Sequence, residues 1–143
     1  KLLRKNNCVV LFPEGEYGNF KATSNKYRLQ DFKRGFVRMA LLTGAPIVPV
    51  IIIGAEETHI NLRQLKFTKY LIGSILPLPL NIIPLPAKWK IKFLEPIHLP
   101  FNADAMNDSE LVHEIASEIK EKMQTEINKE LASREYIYVD KIY

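Results

Sequence analysis

Hydrophobic and polar positions along the 143 residues change period several times, and each change marks an element. Cys8-Val9-Val10-Leu11-Phe12 is a short apolar run closed by Pro13, with the length and β-branched content of a buried strand. Pro13 lacks the N–H a ladder needs and stops the strand. A polar loop, residues 16–31, comes next. From Phe32 to Thr43 the spacing of Phe32, Phe36, Val37 and Met39–Leu42 predicts a helix packed on a sheet, with Gly44 as its stop and Pro46 just beyond. Ile47 to Ile53 is an apolar β-branched run and predicts a strand covered on both faces. Strand, helix and strand in this order make a βαβ unit, whose two strands run parallel. Trp89 to Leu94, ended by Pro96, reads as a third strand. Asp108 or Ser109 can cap a long helix on which Val112, Ile115, Ala116, Ile119, Met123, Ile127 and Leu131 share one face. That stripe reads as packing surface. The fold class expected is α/β, a mainly parallel or mixed sheet flanked by helices.

One stretch breaks the alternation. Residues 70–87 contain no charge, yet Pro77, Pro79, Pro84 and Pro86 interrupt them, which argues against a spanning helix. Arg63, Lys66 and Lys69 lie just ahead. Basic residues beside an apolar, non-spanning stretch suit docking on an anionic membrane surface. A proline-rich loop packed over the protein's own core fits the same pattern.

Length and composition narrow the picture. The chain is one domain by size, with 47% hydrophobic and 25% charged residues, ordinary for a globular protein. It starts at Lys1 without an initiator Met and reads as a piece of something longer. Cys8 is the single cysteine, which excludes an intrachain disulfide and a cysteine-based metal cluster; no metal site is expected. The net charge of +4 is uneven: residues 1–108 carry 15 Lys/Arg against 8 Asp/Glu, and residues 109–143 carry 5 against 8. The division expected is therefore 1–108 as the α/β portion and 109–143 as an amphipathic helix and tail. A basic surface serves nucleic acid, anionic lipid or phosphorylated ligands. With no basic run and no nucleic-acid motif, nucleic acid is not expected.

Chemistry enters at Phe12-Pro13-Glu14-Gly15. A carboxylate on a turn at the carboxyl end of a strand stands where open α/β sheets place ligand-handling groups, and Gly15 permits close backbone approach. Two further blocks follow in order, Phe32-Lys33-Arg34-Gly35-Phe36 and Pro46-Ile47-Val48-Pro49-Val50. Together the three resemble the glycerolipid and lysophospholipid acyltransferase family over roughly residues 1–99. The longer match, residues 12–21 with Gly54-Ala55-Glu56-Glu57, is similar to its monoacylglycerol and diacylglycerol acyltransferase branch. The resemblance implies a glycerol-phosphate acyltransferase-like fold and transfer of a fatty acyl group from a thioester, on coenzyme A or acyl carrier protein, to a glycerolipid or lysophospholipid hydroxyl. No cofactor beyond that co-substrate is implied. It also implies membrane association at the cytoplasmic face, and a substrate-binding set of Phe12, Pro13, Glu14, Gly15, Lys33, Gly35, Val48 and Pro49. Glu16-Tyr17-Gly18 stands where phosphate-using members often carry threonine and arginine, which leaves room for a neutral or zwitterionic acceptor. Of the cations Lys21, Lys26, Arg28, Lys33, Arg34 and Arg38, Lys33 matches a family position at the helix start, where anions are favoured.

The family's base is a histidine in a His-x4-Asp block, because an alcohol needs a positioned base to become a nucleophile. This sequence lacks the block. Gln64, Ala103 and Glu118 stand five residues after His59, His98 and His113. No catalytic residue is assigned within residues 1–143, and the chain alone is expected to be inactive. A non-catalytic lipid- or membrane-binding module is the alternative, and a stand-alone interaction domain a third reading.

Overall fold

The computed structural model describes residues 2–5, 7–18, 21–65, 67–73, 76–135 and 138. Within them lie helices α1 (Gly35–Thr43), α2 (Thr68–Ile72) and α3 (Ser109–Ala132) and strands β1 (Val50–Ile53), β2 (Asn61–Leu65), β3 (Leu76–Pro79) and β4 (Lys90–Phe93). Two small sheets form, β1 with β4 and β2 with β3, both antiparallel. Helices and strands thus share one chain, as an α/β class requires, but the sheet is not parallel.

The helices follow their sequence signals. Asp108 Oδ1 accepts from the backbone N–H groups of Glu110 and Leu111, both at 3.0 Å, filling two of the orphan donors at the start of α3. Gly44 ends α1 in the left-handed region at φ 69°, its N–H bonded to the Ala40 carbonyl. α1 begins three residues later than the apolar pattern suggests. Phe32 lies ahead of it and packs edge-to-face on Phe36, with centroids 6.1 Å apart.

α3 organises the core. Val112, Ile115, Ala116 and Ile119 pack on Val37 and Leu41 of α1, and Ile127 packs on Ile51 and Ile53 of β1 together with Tyr27. The stripe read from the sequence is this packing surface. A charged clamp runs beside it: Lys92 Nζ bonds Glu126 at 3.0 Å and Glu130 at 2.9 Å, and Lys90 also bonds Glu130.

Two strand expectations need correction. The run Cys8–Phe12 forms no ladder among the described residues, and Val10 and Phe12 are 76% and 73% exposed. β1 pairs with β4 instead, so the βαβ unit has no first strand and no parallel pair. Of Ile47–Ile53 only Val50–Ile53 is regular. Pro49 cannot donate, and Ile47 reaches a separate bridge with Ile97 beyond it. Nor is β1 covered twice. Ile51 and Ile53 lie under α3, whereas Ile52 and its partner Ile91 on the opposite face are 38% and 55% exposed.

The stretch expected to be irregular or membrane-docking is an arm. β2 and β3 form a hairpin with α2 at its tip, where the buried Thr68 hydroxyl donates to the Leu65 carbonyl (2.6 Å) and accepts from Leu76 N (3.0 Å). Pro77 and Pro79 are tolerated because β3 is a sheet edge. At the root, Asn81 Oδ1 accepts from Ile60 N (2.7 Å), and its amide donates to the Thr58 and Ile83 carbonyls. The alternative of a loop folded over the core does not hold: Tyr70 and Ile82 are 92% and 91% exposed. Lys66, Ser74 and Ile75 lie outside the described residues.

Candidate functional site

Glu14 sits in a tight bend. Gly15 N donates to the Phe12 carbonyl (3.0 Å) and Gly18 N to the Gly15 carbonyl (3.2 Å), so residues 12–18 turn twice. Gly15 adopts φ 61°, a region that favours glycine. Gly18 is required for a different reason: a Cβ there would lie 2.4 Å from the Glu14 Cβ. The bend is tied to α1 through Lys33 N, which donates to the Pro13 carbonyl at 2.8 Å.

The Glu14 carboxylate is half engaged. Oε2 accepts from Gln30 N (2.8 Å) and pairs with Lys21 Nζ at 3.6 Å. Oε1 has no partner among the described residues. Lys21 is buried and also reaches Glu56 Oε1 (3.0 Å) and the Arg28 carbonyl (2.9 Å). Glu56 Oε2 in turn accepts from Tyr27 N at 2.8 Å. Tyr27 is the hub behind the site. It is buried at φ 61°, its hydroxyl accepts from Gly54 N (2.8 Å), and its carbonyl accepts from Gln124 of α3 (2.8 Å). Burial pushes its hydroxyl up to about 12. Beside it the Glu57 carboxylate, also buried, meets Arg134 at 2.6 Å.

This separates the cations, of which the sequence singles out only Lys33. Lys21 is internal, Lys26 lies 3.9 Å from Glu57, and Arg38 bonds the Met106 carbonyl and the Ser109 hydroxyl. Arg28, Lys33 and Arg34 are exposed, with no acidic partner among the described residues. Lys33 is placed best: a Cβ on Gly15 would lie 2.9 Å from its Nζ. Among the described residues the bend thus leaves one Glu14 oxygen without a partner and, next to Gly15, the Lys33 ammonium without an acidic one. A hydroxyl can donate to the first, and an anionic or carbonyl oxygen can meet the second.

The remaining expected residues do not all gather here. Phe12 and Pro13 lead into the bend and Gly35 opens α1, where no atom lies within 4 Å of a Cβ built on it. Val48 is exposed and Pro49 buried, its carbonyl accepting from Leu94 N (2.9 Å); neither is joined to Glu14 by a described contact. Sequence reasoning passed over Tyr27, Gln30 and Asn61 and named Lys21 only as one cation of six. Only Glu56 carried a signal, through its place in Gly54-Ala55-Glu56-Glu57.

The histidines hold no base pair of the expected kind. His59 Nδ1 lies 3.3 Å from the Asn81 carbonyl oxygen, and His98, His113 and Glu118 are exposed. No group of His, Cys, Asp and Glu suited to a metal ion occurs among the described residues, and no described helix is long and apolar enough to cross a membrane.

Residues 1–53 match the acyltransferase family model, a span that holds Glu14, Gly15, Lys21 and Lys33. Over this segment the chain is similar to the acyltransferase family. The likeness extends to the glycerolipid type: a 1-acyl-sn-glycerol-3-phosphate acyltransferase of Limnanthes alba is 31% identical over 80% of this chain and 33% of its own length. An uncharacterised protein of Mycobacterium tuberculosis is 39% identical over 96% of this chain and 42% of its own length. One from Mycobacterium leprae is 36% identical, over 96% and 41%. The chain therefore spans about two fifths of the curated relatives it matches over nearly its whole length. No solved structure matches the chain.

Proposed function

We propose that the intact protein moves a fatty acyl group from a thioester, on coenzyme A or acyl carrier protein, to the hydroxyl of a glycerolipid or lysophospholipid at the cytoplasmic face of a membrane. Residues 1–143 contribute the acceptor side, and their portion of the domain has a glycerol-phosphate acyltransferase-like fold. The observation that carries this reading is the half-engaged Glu14. One oxygen is tethered by Gln30 and Lys21, and the other is left for a hydroxyl, in a segment that matches the acyltransferase family.

In the reaction a C–O ester bond forms, the thioester C–S bond breaks, and the hydroxyl proton ends on the departing thiol. Glu14 holds the acceptor hydroxyl in place, which lowers the barrier by orientation. Lys33 faces a neighbouring headgroup or ester oxygen. Proton removal falls to a histidine outside residues 1–143, since no histidine here has a carboxylate at the required spacing.

That same lack favours a second reading, a lipid-binding relative without catalysis. One measurement separates the two. The intact protein is given a radiolabelled acyl thioester and a lysophospholipid or monoacylglycerol. Labelled ester product that falls sharply with Glu14→Ala supports transfer. Acceptor binding without any product from the unmutated protein supports the module.

A further inference from the structure

Residues 58–94 hold six Lys or Arg and no Asp or Glu. Within them the β2–α2–β3 arm exposes apolar side chains at its tip (Phe67, Tyr70, Leu71) and again along its return segment (Leu80, Ile82, Ile83). Large exposed apolar surface of this kind is costly in water and marks a docking site.

The backbone of the arm suits insertion into lipid. Polar main-chain groups are expensive beside hydrocarbon unless satisfied. Here Thr68 bonds both a carbonyl and an N–H at the tip, and Asn81 does the same at the root. Pro77 and Pro79 in β3, and Pro84 and Pro86 beyond it, carry no main-chain donor to satisfy. Of the six basic residues Lys90 and Lys92 are held by Glu126 and Glu130. Arg63, Lys66 and Lys69 fall in the arm's own sequence with no acidic residue there, a charge that complements anionic headgroups.

We infer that the β2–α2–β3 arm is a membrane-inserting element that seats the Glu14 loop on an anionic bilayer, an inference that rests on the acceptor being a membrane lipid. The coupling is direct. At the root of the arm Asn61 N donates to the Thr23 hydroxyl (2.8 Å) and Asn61 Nδ2 to the Lys21 carbonyl (3.4 Å). Lys21 in turn holds Glu14. Seating the arm therefore sets where Glu14 stands relative to the lipid surface, and an acceptor can reach the loop without leaving the bilayer.

The test is flotation of the intact protein with phosphatidylglycerol-containing vesicles, beside a Leu71→Asp/Ile82→Asp variant. The unmutated protein floats, and the variant partitions at least about tenfold less, as expected from placing two charges where apolar groups entered lipid. A second measurement does not depend on that variant folding. In a background where Cys8 and any other cysteine of the intact protein are replaced by serine, Ile82→Cys carries an environment-sensitive dye, whose emission shifts to the blue when vesicles are added. Failure of the unmutated protein to float, equal flotation of the variant, or an unshifted dye overturns the inference. None of these readouts involves acyl transfer, so the proposed activity stands or falls separately.

Discussion

Lys21 and Glu14 form an ion pair of 3.6 Å in which the ammonium is the buried partner and the carboxylate the more accessible one. The asymmetry sets what each does. Lys21 has given up water and is satisfied by Glu14, Glu56 and the Arg28 carbonyl. Glu14 keeps one oxygen for a ligand. Glu14→Ala in the intact protein is expected to lower kcat/KM for the acceptor about 10- to 100-fold, the worth of a hydrogen bond to a charged group. Lys21→Met frees two carboxylates that can turn to water, so its cost is spread: about 1–3 kcal/mol of stability and a smaller kinetic loss. Steady-state kinetics and urea unfolding on both variants check the order. A larger kinetic loss for Lys21→Met would make Glu14 a tether and not an acceptor contact.

The two glycines of the bend should respond differently. At Gly18 an added methyl meets the Glu14 Cβ at 2.4 Å, a rigid neighbour, so Gly18→Ala must displace the carboxylate. Its expected effect is a loss of transfer close to that of Glu14→Ala. At Gly15 the methyl meets the flexible end of Lys33, which can move aside. Gly15→Ala is then left with the strain of φ 61°, about 1–2 kcal/mol, and a milder kinetic effect. Kinetics of the two single variants, with melting curves, decide the point.

Helices α1 and α3 were legible in the sequence because their signals are local, whereas α2 was not. Asp108, Gly44 and the stripe from Val112 to Leu131 act within a few residues of where they stand. β1 and β4 fall inside the two later apolar runs that predict strands, but their pairing was not legible, because ladder partners are chosen by tertiary contacts. β2 and β3 were not legible at all. Nothing in Ile47–Ile53 announces that its partner is Lys90–Phe93 or that only one face is covered. At the site, Glu14, Gly15 and Lys33 were found from their blocks. The network behind them joins residues 14, 21, 27, 56, 61 and 124, and no spacing rule links such distant positions. Lys21 is the clearest case: in sequence it is one cation of six, and in the fold it is internal.

Tyr27 gives a test of that network. Tyr27→Phe keeps the ring but leaves Gly54 N without its acceptor in a buried place, an expected loss of about 1–3 kcal/mol in chemical unfolding. The hydroxyl also makes stability fall at high pH. The folded protein holds this proton up to about 12 against the usual 10.0, so between those values the folded state binds more protons than the unfolded one. Stability contributed by Tyr27 is complete below pH 10 and drains away as pH rises towards 12. Tyr27→Phe should flatten that alkaline slope, and an unchanged slope would place its cause elsewhere.

The clamp between β4 and α3 governs the acid side. Hydrogen bonds from Lys90 and then Lys92 hold Glu130 below its usual 4.5, and bonds from Lys129 and then Lys92 do the same for Glu126. A carboxylate lowered in the folded state binds fewer protons there than in the unfolded chain. Its stabilisation is therefore whole above pH 4.5 and is lost as pH drops through the lowered folded values. The unfolding midpoint should fall steadily from about pH 4.5 downward. Glu130→Gln removes the shared partner of both lysines and is expected to weaken that acid dependence while lowering stability only slightly at pH 7, since ion pairs open to solvent are weak. High salt should act in the same direction on the unmutated protein and have little effect on the variant. Thermal melts between pH 3 and pH 7, at low and high ionic strength, measure both. If Glu130→Gln retains the full acid slope, the clamp is not what ties the sheet to α3 at low pH.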